Sequence, residues 1–316
     1  MGLAEQIRLA RHDGVTIIPV VDDLTGFSLQ VPDLLSSFNG IEWSGSSPAS
    51  RLASAVLEEL SIVDRDRRVF VSHRRSDGLA AAEQLHDALS HVRFKPFIDR
   101  FAIPPGDDVQ RCIADALEDF AFLLVLETPD AHLSDWVFDE VDYALAHAMG
   151  LLIVTWPGNP KPIPGSLGVP RLVLETADLV RDEHNYEVLT AEALDRAISE
   201  AEAAHARGLV RRRRMLLRSV QEAAESHGGS CTALRDWVID VASPLGHSVV
   251  AVAPRIPASE DLHRLDQARA QVDPSARALL VHAARRLDDS RRRHLEWVNG
   301  DRSLQMLPEN AIGGAW

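Results

Sequence analysis

Val69-Phe70-Val71-Ser72-His73-Arg74-Arg75-Ser76-Asp77 is the stretch whose reading decides the fold. Three apolar, partly β-branched residues end at Ser72 and give way to a basic, polar segment, the pattern of a buried strand leaving through a loop. The pattern recurs downstream. Residues 94–98, 120–126 and 151–155 are further apolar runs, and residues 79–89, 109–118 and 136–149 between them carry helical spacing. This alternation from Arg68 to Pro157 predicts a parallel sheet covered by helices. In open sheets of this kind ligands bind beyond the carboxyl ends of the strands, so chemistry is to be sought in the loops after Ser72, Ile98 and Leu126.

Outward from this core, the 316 residues exceed what one hydrophobic core usually organises. Hydrophobic residues at 46% and charged residues at 25% are those of a folded globular protein, which excludes collagen-like and low-complexity classes. A net charge of -14 repels polyanions, so neither nucleic acid nor an anionic membrane is an expected partner. Cys112 and Cys231 form no CxxC or zinc-type cluster and fit a reducing compartment. No apolar run approaches the roughly 18–20 residues of a membrane span. Glu5, Arg8, Arg11 and His12 break up any secretory segment, and Gln6 breaks the myristoylation pattern begun by Met1-Gly2. The expected location is cytoplasmic.

Residues 15–21 read as a strand ending at the solvated pair Asp22-Asp23, and residues 49–60 as a helix. Residues 158–170 are an irregular Pro/Gly excursion, followed by a short strand at 171–174. Thr190 is a fitting N-cap for a helix that continues past Gly208 into Arg211, Arg212, Arg213, Arg214 and Arg218, with Gly228-Gly229 ending it. In so acidic a chain these arginines are expected in salt bridges or an oligomer contact. The remainder reads as a smaller α/β unit: helix 233–242, strand 248–253, helix 260–270, strand 278–282, helix 291–297 and strand 303–307. The expected organisation is an N-terminal extension (1–64), a flavodoxin-like domain (65–180), a helical connector (181–229) and a C-terminal α/β domain (230–316). No phosphate-loop, dinucleotide-binding or HExxH motif occurs.

Three segments at predicted strand ends stand in register: Val69 to Asp77, then Phe97 to Asp108 with Ile103-Pro104-Pro105-Gly106, then Ser134-Asp135-Trp136-Val137-Phe138-Asp139-Glu140. Together they resemble a bacterial TIR domain over about residues 67–157. The first is similar to the family's strand-A box, the second to its BB loop and the third to the S-x-W-x-x-x-E signature that opens a helix. Where relatives often carry an aromatic residue after the serine, this chain has His73. On a helix starting near Ser134, Trp136, Glu140, Tyr143 and His147 share one face. An adjacent stripe of Val137, Val141, Ala144, Leu145 and Ala148 is expected against the sheet, with Glu140 at the margin of the core.

The resemblance implies an enzyme, an NAD+ glycohydrolase with Glu140 catalytic. NAD+ is its substrate, and no cofactor is implied. Ser72, Arg74, Arg75, Ile103, Gly106 and Trp136 are the residues expected around that substrate. Arg74 and Arg75 suit pyrophosphate or adenine, with a salt bridge to Asp77 or Asp99 as the alternative use. No metal is implied. The resemblance further implies homo-oligomers built through BB-loop contacts, an antiphage role, and a nucleotide or protein trigger at the C-terminal domain. Two rivals remain: a noncatalytic TIR adaptor, which only self-associates, and a nucleoside-processing transferase of related topology.

Overall fold

The computed structural model describes residues 2–12, 15–36, 38, 40–44, 52, 55–56, 64–98, 117, 119–234, 237–285 and 287–316. The chain divides into two compact units, Met1–Val63 and Asp64–Trp316. In the first, helix α1 (Leu3–His12) precedes strand β1 (Val20–Val21), which pairs in parallel with β2 (Ile41–Glu42); the short helix α2 (Phe27–Gln30) lies between them. The strand expected over 15–21 is therefore reduced to its last two residues, because only these find a partner; Val15 is exposed. Asp23 ends the strand at the surface and caps the next turn by accepting from Thr25 N. The helix expected at 49–60 lies mostly outside the described residues.

The second unit contains two five-stranded sheets. The first consists of β3 (Arg68–Ser72), β4 (Lys95–Phe97), β5 (Phe122–Glu127), β6 (Gly150–Thr155) and β7 (Arg171–Val173) in the order β4-β3-β5-β6-β7, all parallel. Each residue of β5 and β6 is buried, as central parallel strands require. Side-chain alternation divides the core in two. Val69 and Val71 with Phe122, Leu124 and Leu126 pack under α3 (Arg75–His91) through Ala81, Ala82, Leu85 and Leu89. Phe70 with Leu123, Val125 and Ile153 packs under α4 (Asp135–Ala146) through Val137, Val141 and Ala144. The helix expected at 109–118 lies almost wholly outside the described residues. A hairpin of β8 (Leu179–Arg181) and β9 (Glu187–Leu189) follows the edge strand.

Thr190 caps α5 (Ala191–Ser226) by accepting from Ala193 N at 3.2 Å. This 36-residue helix packs Ala193, Ala197 and Ala201 under the first sheet and Leu216, Val220 and Ala224 under the second. Gly208 lets it cross the start of β6, since a Cβ there would lie 2.5 Å from the Gly150 Cα.

The second sheet runs β10 (Ser230–Ala233), β11 (Val238–Ser243), β12 (Gly246–Ala253), β13 (Arg277–His282) and β14 (Leu304–Pro308), with α6 (Ser259–Val272) and α7 (Asp289–Asn299) as crossovers. The first three strands form an antiparallel meander and the last three are parallel. The helix expected over 233–242 is instead the β10–β11 hairpin, turned by Trp237 at φ 62°. Val238 enters one core while Ile239 and Val241 enter the other, so an apolar segment buried on both faces mimics a helical pattern.

Candidate functional site

Helix α4 leaves the carboxyl end of β5 through a short turn, Ala131–Leu133. Ser134 is its N-cap, accepting from Val137 N at 3.4 Å, which explains a serine six residues ahead of the glutamate. Val137, Val141 and Ala144 are buried, and Glu140 is buried with them at 5% exposure. The helix is rolled further than expected: Glu140 lies on the buried arc itself, whereas Leu145 is 43% exposed. Trp136, one turn earlier, is 40% exposed, and the Tyr143 ring lies 4.2 Å from that of His147. Burial, with Arg285 and Arg212 nearby, lowers the pKa of His147.

Ser72 ends β3 on the same side of the sheet as α4, by alternation from Phe70. Its hydroxyl is buried and has no hydrogen-bond partner among the described residues. His73 is buried, with Nδ1 3.3 Å from the Val71 carbonyl. Arg74 pairs with Asp130 at 2.9 Å rather than with Asp77; Asp99 lies outside the described residues. Arg75 opens α3 and is exposed, lining a cleft of about 650 Å³ with Asp77, Glu83, Arg181, His184 and Tyr186. Ile103 and Gly106, with residues 99–108 of the BB-loop segment, also lie outside the described residues. The structure thus brings Ser72, His73, Arg74 and Arg75 to the carboxyl end of β3, and Trp136 and Glu140 to the helix that follows β5.

Several polar groups were not found by sequence reasoning. Glu127, the last residue of β5, is 1% exposed and accepts from Thr155 Oγ1 and Ile163 N, both at 3.0 Å, and from Arg171 at 3.2 Å. It pins the Pro/Gly excursion against the sheet. A carboxylate ending a fully apolar run was the available signal.

At the opposite, amino end of the sheet, Asp66 is fully buried between Arg213 (2.9 Å) and Arg255 (2.7 Å), and Arg255 continues to Asp261 at 2.9 Å. His205 Nε2 lies 2.5 Å from the Asp66 carbonyl. Arg212 pairs with Glu309, and Asp119 with Arg68 and Arg291. The carboxyl ends of β12, β13 and β14 therefore face the amino ends of β3 and β5. No group of three or more His, Cys, Asp and Glu able to hold a metal ion occurs among the described residues, and no helix there is long and apolar enough to cross a membrane.

A parallel sheet in the order β4-β3-β5-β6-β7, with a buried carboxylate on the helix after its third strand in sequence, is a flavodoxin-like domain with its polar site at the carboxyl edge. Residues 69–206 match the family described as TIR domain, and this part of the chain is a TIR domain. No curated protein matches the chain. Among solved structures, the TIR domains of the activated Roq1 resistosome directly recognizing the pathogen effector XopQ are 19% identical, over 29% of this chain and 59% of that one, with a TM-score of 0.27.

Proposed function

We propose that the TIR domain is an NAD+ glycohydrolase in which Glu140 carries the reaction. The observation that supports this reading is a carboxylate held at 5% exposure, in the family signature, on a helix rooted at the carboxyl edge of the sheet. Ordinary glycosides need a second carboxylic acid to protonate the leaving oxygen. Nicotinamide in NAD+ is already a pyridinium, so the electron pair of the C1′–N bond passes to the ring and a neutral molecule departs. What remains is an oxocarbenium-like ribosyl centre. A carboxylate withdrawn from bulk water stabilises it more strongly than an exposed one would, by electrostatics or as a transient ester. Attack by water gives ADP-ribose; attack by the adenine of the same molecule gives a cyclic isomer.

In this reading Ser72, Arg74, Arg75 and Trp136 surround the substrate together with Ile103 and Gly106. TIR–TIR contacts through the BB loop activate the enzyme, and the C-terminal half receives the trigger. The role assigned with it, from the family resemblance, is defence in which NAD+ is depleted or a nucleotide signal is made.

The test follows nicotinamide release from NAD+ by the full chain at concentrations high enough to force assembly, beside Glu140→Gln and Glu140→Ala. Both variants are expected to lose about 100-fold or more. Release by both at the wild-type rate removes Glu140 from the mechanism. An assembled wild-type protein that leaves NAD+ intact identifies an adaptor.

A further inference from the structure

The arginine-rich segment of α5 divides into two sets. Arg212 and Arg213 turn inward to Glu309 and Asp66. Arg207, Arg211, Arg214 and Arg218 turn outward and are exposed. Their spacing, i, i+4, i+7 and i+11, keeps them in one stripe about 16 Å long. Arg207 reaches Glu200 only at 3.8 Å, and Arg211 donates to the Met149 carbonyl at 3.2 Å. Arg214 and Arg218 enter no ion pair among the described residues. In a chain of net charge -14, such a stripe is a local basic patch, complementary to an acidic counterpart.

That counterpart is on the same molecule. Asp135, Asp139 and Asp142 are exposed on α4 at i, i+4 and i+7, on the face turned away from Val137 and Glu140. They too enter no ion pair among the described residues. Phe138 (40% exposed) and Leu145 (43%) flank them. Leu145 also lines a 310 Å³ groove with Arg207, Arg211 and Leu167, and Leu167 is 99% exposed. The arginine stripe thus reaches this apolar groove through Arg207 and Arg211, and the carboxylate helix reaches it through Leu145, yet no ion pair joins the two stripes within a copy among the described residues.

We infer that they pair between two copies: the arginine stripe of α5 in one copy binds the carboxylate stripe of α4 in another, with Phe138, Leu145 and Leu167 desolvated between them. Matching 4-3 spacing on two helices gives successive charge pairs, and the exposed apolar residues supply burial that ion pairs alone would lack. A nucleic acid fits less well, because its phosphates would meet the three carboxylates beside the arginines. The contact is independent of the proposed reaction, although it would load the helix that carries Glu140.

Sedimentation velocity of the full chain tests this pairing. Association is expected at about 0.15 M salt and should weaken toward about 1 M. Asp139→Arg with Asp142→Arg, and separately Arg214→Asp with Arg218→Asp, should each weaken self-association at least about tenfold. All four sites are exposed, and circular dichroism checks that the fold persists. One double variant then carries arginine on both stripes and the other carries added aspartate on both, so mixing them should restore association. A wild type that stays monomeric, variants that associate like the wild type, or a mixture that fails to associate would each overturn the inference. So would arginine variants that lose only retention of a DNA duplex while self-association persists. Loss of association and its recovery on mixing support the pairing whether or not the protein cleaves NAD+.

Discussion

The two sheets of the second unit obey one architectural rule and use it in opposite ways. In each, loops and helix starts gather at the carboxyl ends of parallel strands, where open α/β sheets hold ligands. In the TIR domain that edge carries Ser72, Arg74, Arg75 and the helix of Glu140, and several of its charges reach solvent. In the second sheet the same edge is filled by Arg255, Arg285 and Glu309, which are turned onto Asp66, Phe120 and Arg212, with Asp261 holding Arg255 from behind. Topology nominates both edges; charge pairing closes one of them. If the C-terminal half receives the proposed trigger, that trigger has to open this interface or bind elsewhere on that half.

The largest effect is expected where the closed edge is most buried. Asp66→Asn leaves Arg213 and Arg255, both fully buried, without their shared carboxylate. Removing one member of a buried ionic group costs about 3–5 kcal/mol, because the stranded charges have lost their compensation. Urea denaturation of the full chain measures this. A loss below about 1 kcal/mol would mean that the edge is not closed by these charges.

A somewhat smaller effect comes from pH at the same edge. His205 is fully buried between Phe94 and Phe122, and desolvation depresses its pKa from 6.5 to about 4. It is neutral in the folded chain at pH values where the unfolded chain already binds a proton. Stability should therefore fall as pH drops from about 6.5 to about 4, by up to about 3 kcal/mol, and this contribution should level off below that. In His205→Gln that part of the slope should disappear. An unchanged pH profile would show that other groups govern acid sensitivity.

The two edges also differ in how far sequence reveals them. Strands β3, β5 and β6 are continuous apolar runs, so the TIR sheet is legible at once. Glu140 is legible because cap, tryptophan and glutamate lie within seven consecutive residues. The roll of α4 is not, since whether Leu145 or Glu140 faces inward depends on the packing of that helix over the sheet. Asp66, Arg213 and the Arg255–Asp261 pair come from three separate segments, and no local spacing links those segments before the chain folds. Strand β11 misleads for a related reason: packing on both of its faces erases the period-two signal.

Arg74 makes the smallest demand on stability and gives the sharpest contrast. Its pair with Asp130 is partly exposed on both sides, so Arg74→Ala should cost less than about 1 kcal/mol. If the open edge binds the pyrophosphate of NAD+, the same change should raise KM several-fold while leaving kcat nearly unaltered, because the lost contact is remote from the bond that breaks. Arg74→Lys should recover charge but not the two-pronged hydrogen bonding, and so restore KM only in part. The paired measurement separates the edges: a residue of the open edge should alter substrate affinity without altering the denaturation midpoint, whereas Asp66 should do the reverse. An Arg74→Ala protein with unchanged KM would return this arginine to a surface ion pair and move the anion-binding role to Arg75.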